Sequence, residues 1–129
     1  MSIRTPLARA RGLGTAKDGT HHWWMQRVTA AGNLILLAWF IASLILLPSL
    51  DRTSVLAWLS SPLVAVPMLL LILTTFWHAR LGVQVLIEDY VHSEGLKLLA
   101  FIALNFFILG TAAVAAFSVL IIAFGGPRG

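Results

Sequence analysis

Three long, predominantly apolar runs, at about 28–47, 62–87 and 96–124, constrain this chain more than any other feature. Each matches or exceeds the roughly 20 residues that a helix needs to cross a hydrocarbon core about 30 Å thick. Of the 129 residues, 59% are hydrophobic and only 11% are charged, whereas soluble domains carry about a quarter charged. A chain this short has too little polar surface to cover so much apolar material in water. In lipid, every backbone polar group must bond within the protein, so isolated runs of this length are helices. The sequence therefore predicts an all-α membrane protein with three transmembrane helices.

The breaks between the runs are chemically marked. Pro48 closes the first, and Asp51 and Arg52 form a polar turn. The semi-apolar stretch 54–59 contains Trp58 and belongs at a membrane interface, where tryptophan is favoured. The second run opens near Pro62 and carries Pro67 in its first turns, where proline is tolerated. A polar segment at 88–95 precedes the third run, which Gly125, Gly126 and Pro127 stop. The chain thus divides into a basic segment 1–27, a membrane region 28–124 with spans at about 28–48, 62–88 and 96–124, and a tail 125–129. It has no internal repeat and no low-complexity segment.

The net charge of +4 is unevenly spread. Arg4, Arg9, Arg11, Lys17 and Arg27, five of the nine basic residues, precede the first run, and the first turn holds only Arg52. Basic flanks stay on the cytoplasmic side. This puts the N-terminus in the cytoplasm, the Asp51 turn outside, the 88–95 loop inside and the C-terminus in the periplasm. The pattern is a membrane flank and not a nucleic-acid surface, so lipid is the expected partner and nucleic acid is not. The basic, acid-poor start also suits a transit peptide. An uncleaved tail in a bacterial inner membrane is the preferred reading, with the mitochondrial inner membrane as the alternative. With no cysteine, this chain ligates no iron–sulfur cluster, and histidine, carboxylate or a partner must hold any metal.

An ionisable residue inside a span costs about 2.5–3.5 kcal/mol on insertion scales. Asn33, Ser43, Asn105, Thr111 and Ser118 in the first and third spans read as helix-packing groups. His78 in the second span is different. It lies about nine residues before the inner boundary, roughly 13–14 Å deep at 1.5 Å per residue. His21, His22 and His92 all fall at the aqueous boundary. His78 is either a neutral imidazole bonded to a neighbouring helix or an axial ligand of a haem iron. Gly82, one turn further on the same face, is a packing notch or a place for a flat macrocycle to approach. A second histidine ligand would have to come from another polypeptide. Arg80 points about 200° away from His78 and reads as structural, snorkelling to the interface or pairing with a partner's acid.

Glu88 suits a solvated helix end, but Asp89 and Tyr90 can build a site open to cytoplasmic water. A phenol donates to a carbonyl oxygen and a carboxylate relays protons, which are the two tasks of quinone reduction. Arg27 reaches the same level. Its guanidinium suits a haem propionate or quinone oxygen, and equally a lipid phosphate.

The stretch HARLGVQVLIEDYVH at 78–92 resembles the small hydrophobic membrane-anchor subunits of succinate dehydrogenase, complex II. In that family a span-two histidine precedes a glycine and then Asp-Tyr-Val at the helix end. GTHHWWMQRVTA at 19–30 is similar to the family's approach to span one, and the likeness covers the chain beyond about Arg11. The resemblance implies that His78 is an axial ligand of haem b, shared with a companion anchor of the cytochrome b556 type. It also implies that Tyr90 bonds the ubiquinone headgroup, with Asp89 assisting proton delivery. By the same resemblance Arg27 would face the haem propionates or the quinone pocket, and His21 and Gly82 would lie near the haem. The partners implied are the flavoprotein and iron–sulfur subunits, which hold the FAD and the clusters. The complex carries electrons from succinate, a tricarboxylic acid cycle intermediate, into the electron transport chain. This chain is then part of an enzyme without itself catalysing succinate oxidation. A fumarate reductase anchor, or a cofactor-free structural membrane subunit, is the alternative.

Overall fold

The chain turns where its prolines and short polar segments fall. In the computed structural model the described residues, 16–125, form four helices: α1 (Ala16–Leu46), α2 (Arg52–Leu59), α3 (Pro62–Tyr90) and α4 (Glu94–Gly125). None of the described residues forms a strand. The basic residues Arg4, Arg9 and Arg11 and the expected stop at Gly126 and Pro127 lie outside the described residues. α1, α3 and α4 are each long and apolar enough to cross a membrane, so the all-α, three-span architecture holds. At 1.5 Å per residue the 29 residues of α3 extend about 44 Å, more than a hydrocarbon core needs.

α1 begins well before the apolar run at 28. The run marks where lipid starts, but the helix starts where backbone bonding becomes continuous, and no proline falls between Ala16 and Leu46 to interrupt it. His21, His22 and Arg27 therefore project from a helix rather than from an irregular flank. The interfacial stretch is also a true helix. Asp51 caps α2, accepting the Ser54 backbone N–H at 2.8 Å, and this satisfies a donor that the first turn leaves free. Pro62 starts α3, where its missing N–H costs nothing. The helix continues through Pro67, which leaves the Leu63 carbonyl without its usual donor.

α3 is the central element. α1 packs along one flank and α4 along the other, and among the described residues no Cα of α1 comes within 8 Å of one in α4. Ala65, Met68 and Val119 form a small buried core at the Asp51 end. Trp58 of α2 seals it, stacking on Trp39 with ring centroids 6.2 Å apart and tilting against Phe40 at 6.1 Å. Toward the Tyr90 end the helices are joined by polar pairs, with Leu81 the buried apolar residue between them, 4% exposed. Large apolar side chains such as Leu34, Ile35, Phe106 and Phe107 are exposed, which a bilayer or a partner helix tolerates and water does not.

Candidate functional site

α3 presents His78 to α1. The imidazole Nδ1 lies 3.0 Å from the Thr29 hydroxyl, and Thr29 is the buried polar residue among those described, 6% exposed. Three neighbouring features let the helices approach here. Gly32 has only the Thr74 methyl near it, 4.0 Å from where a Cβ would sit. Asn33 donates to the Thr74 carbonyl at 3.5 Å and accepts from the Thr75 hydroxyl at 3.3 Å. Asn33 is thus a helix-packing group, as its polarity suggested.

The geometry selects a tautomer. The Thr29 hydroxyl has one hydrogen, and the Met25 carbonyl, at 2.7 Å, is its shortest contact. Gln26 O is a poorer acceptor at 3.2 Å. With the hydrogen committed to Met25, the hydroxyl oxygen is placed to accept from Nδ1–H, the tautomer in which Nε2 keeps its lone pair. Nε2 is left as the basic nitrogen, and among the described residues it makes no hydrogen bond. The contact foreseen in the packing reading exists, but it occupies one nitrogen and leaves the other able to take a metal. No three histidine, aspartate or glutamate side chains converge among the described residues.

Gly82 is exposed, and a Cβ added there would meet nothing within 4 Å. Packing within this chain therefore does not require glycine at that position. On the far flank of α3, Arg80 Nε donates to Asn105 Oδ1 at 2.6 Å and the guanidinium lies 5.3 Å from the Trp77 ring centre. Arg80 thus ties α3 to α4, away from Thr29. Asn105 is a packing group too, whereas Thr111 and Ser118 bond their own backbone, to Phe107 O at 2.6 Å and Val114 O at 2.8 Å. Their expected interhelical bonds are absent because a helical hydroxyl satisfies itself on the preceding turn.

The residues at the Tyr90 end of α3 are less enclosed. Asp89 is exposed, and Tyr90 is 77% exposed at the last position of α3. Arg27 is exposed too, its guanidinium 5.4 Å from the Trp23 ring centre. Among the described residues no hydrogen bond or ion pair joins Asp89 or Tyr90 to Arg27. His78 and Asp89 are eleven residues apart, about 16 Å along the helix. His21 is exposed and lines a cleft of about 240 Å³ between α1 and α3 with His22, Trp77, Arg80 and Gln84. His22 Nε2 is buried there without a hydrogen-bond partner.

Thr29 and His22 were missed by sequence reasoning. The available signal was their seven-residue spacing, which puts both on one helix face, and the position of Thr29 inside an apolar run. A threonine there looks innocuous because it usually bonds its own backbone.

The fold and the polar cluster together define a class: a small multi-pass membrane protein whose central helix offers a basic imidazole nitrogen at depth. The sequence pattern of the family described as succinate dehydrogenase/fumarate reductase transmembrane subunit matches residues 1–124, and the chain belongs to that family. It is 32% identical over 105 residues to the succinate dehydrogenase hydrophobic membrane anchor subunit of Rickettsia bellii, covering 81% of this chain and 84% of the relative. The protein of the same description from Rickettsia conorii is 30% identical over 110 residues, 84% of this chain and 87% of the relative. That from Paracoccus denitrificans is 30% identical over 90 residues, 70% of each.

Proposed function

We propose that this chain is the membrane anchor subunit of a succinate:ubiquinone oxidoreductase in a bacterial inner membrane. It docks the flavoprotein and iron–sulfur subunits, shares a haem b with a second anchor of the cytochrome b556 type, and forms part of the ubiquinone-reduction site. The observation that carries the haem assignment is His78, whose Nδ1 is held at 3.0 Å by Thr29 while Nε2 is left basic. That donor chemistry fits axial ligation. Gly82, open on the next turn, allows a flat group to approach. Bound there, haem b supplies a one-electron redox centre inside the membrane. FAD and the iron–sulfur clusters belong to the partner subunits; this chain has no cysteine to ligate a cluster.

At the other level Tyr90 donates its phenolic hydrogen to a ubiquinone carbonyl oxygen. Asp89, next to it and exposed, carries protons in from cytoplasmic water. Arg27 and His21 project from the same end of α1, and Arg27 supplies a cation for a propionate or for a quinone oxygen. Exposure of Tyr90 in the isolated chain suits a site that the partner subunits complete.

Purification of the tagged chain in mild detergent tests the assignment. A flavoprotein, an iron–sulfur protein and a second small membrane protein should accompany it with succinate:quinone activity. Recovery of the chain without them would refute the reading.

A further inference from the structure

Among the described membrane-depth hydroxyls, Thr29 is the one that meets an imidazole; the Thr75 hydroxyl also crosses between helices, but to the Asn33 amide oxygen at 3.3 Å. Thr74, Thr111 and Ser118 bond only the preceding turn of their own helix or turn away from imidazole: Thr74 Oγ1 reaches Leu70 O at 2.8 Å, Thr111 reaches Phe107 O at 2.6 Å, and Ser118 reaches Val114 O at 2.8 Å. Thr29 also bonds its own helix, at Met25 O, but its remaining lone pair faces His78 Nδ1 across the α1–α3 contact. It is buried, so no lipid or water competes for the bond.

We propose that Thr29 is the positioning residue for the haem ligand, acting through His78. This rests on His78 being that ligand. The Met25 carbonyl commits the hydroxyl hydrogen, the hydroxyl oxygen accepts Nδ1–H, and the ring is thereby fixed in the tautomer that presents Nε2 and in one orientation about its axis. An acceptor on Nδ1–H also raises the electron donation of Nε2. A stronger donor favours the ferric over the ferrous ion, so Thr29 holds the haem potential down. The acceptor is a neutral hydroxyl, a weaker one than a carboxylate, so the tuning it exerts is moderate.

The test uses the intact, purified complex carrying Thr29→Val, which keeps the branched shape without the oxygen, and Thr29→Ser, which restores it. Loss of such a partner lowers metal affinity about 10–100-fold. A tenfold change in the ferric-to-ferrous preference is about 59 mV for one electron. The valine variant should show a potential raised by about that amount and an altered low-spin ferric signature, or reduced haem per flavin. Serine should restore both. Succinate oxidation by a soluble dye should stay unchanged in every variant. If valine prevents assembly, Thr29→Ala, which shrinks the side chain without reshaping its neighbours, must show the same raised potential. An unchanged potential and ferric spectrum in an assembled valine or alanine variant would overturn the proposal, and so would failure of serine to restore them. Failure of the underlying reading looks different. It appears as a parent complex without b haem, or as a His78→Ala complex whose spectrum is unaltered.

Discussion

At the scale of single residues, the chain spends its few polar groups in pairs. His78 has Thr29, Arg80 has Asn105, and Asn33 has Thr74 and Thr75. Tyr90 has no such partner described and is turned outward. Tyr90→Phe should therefore leave the fold intact and lower ubiquinone reduction by up to about tenfold, the size of one hydrogen bond. Dye-linked succinate oxidation by the same preparation should persist. Equal loss of both activities would mean failed assembly and no quinone role. His78 was legible in the sequence because an ionisable group in an apolar run is expensive. Thr29 was not, because its partner lies 49 residues away and its own helix hides its polarity. Asp89 and Tyr90 were legible by type, but their exposure at the end of α3 was not.

At the scale of helices, the polar pairs substitute for a hydrophobic driving force that lipid does not provide. Arg80 and Asn105 lock α3 to α4. Asn105→Leu leaves a guanidinium in the membrane without its acceptor, at a cost of about 1–3 kcal/mol. The double change Arg80→Leu with Asn105→Leu should cost less than Asn105→Leu alone, read from thermal unfolding of the complex as a double-mutant cycle. Simple additivity would contradict the pairing. The cap of α2 makes a pH prediction. The Ser54 backbone N–H, helped by the hydroxyls of Ser54 and Ser49, holds the Asp51 carboxyl below its ordinary value of 3.8. A carboxyl lowered by folding stabilises the helix above its unfolded value, and that contribution is lost as pH falls through the lower folded value. Hydrogen-exchange protection of α2 should therefore weaken with acid below about pH 3.8, while Asp51→Asn keeps a cap that does not titrate. Equal acid sensitivity of the two proteins would contradict the assignment. The spans were legible from the apolar runs and the prolines. The early start of α1 was not, since lipid contact and helix formation obey different rules.

At the scale of the molecule, α3 sits between two helices whose backbones stay apart, so faces of α1, α3 and α4 remain open to lipid or to a neighbouring protein. The buried core is confined to the Asp51 end, and the end with His78, Asp89 and Tyr90 is held by hydrogen bonds and open to partners. The most direct measurement is a reduced-minus-oxidised spectrum of the purified complex, with and without His78→Ala. The expected result is a b-type haem in the parent that is lost or displaced in the variant, with all subunits still co-purifying. An identical haem spectrum in both would contradict the account at its centre.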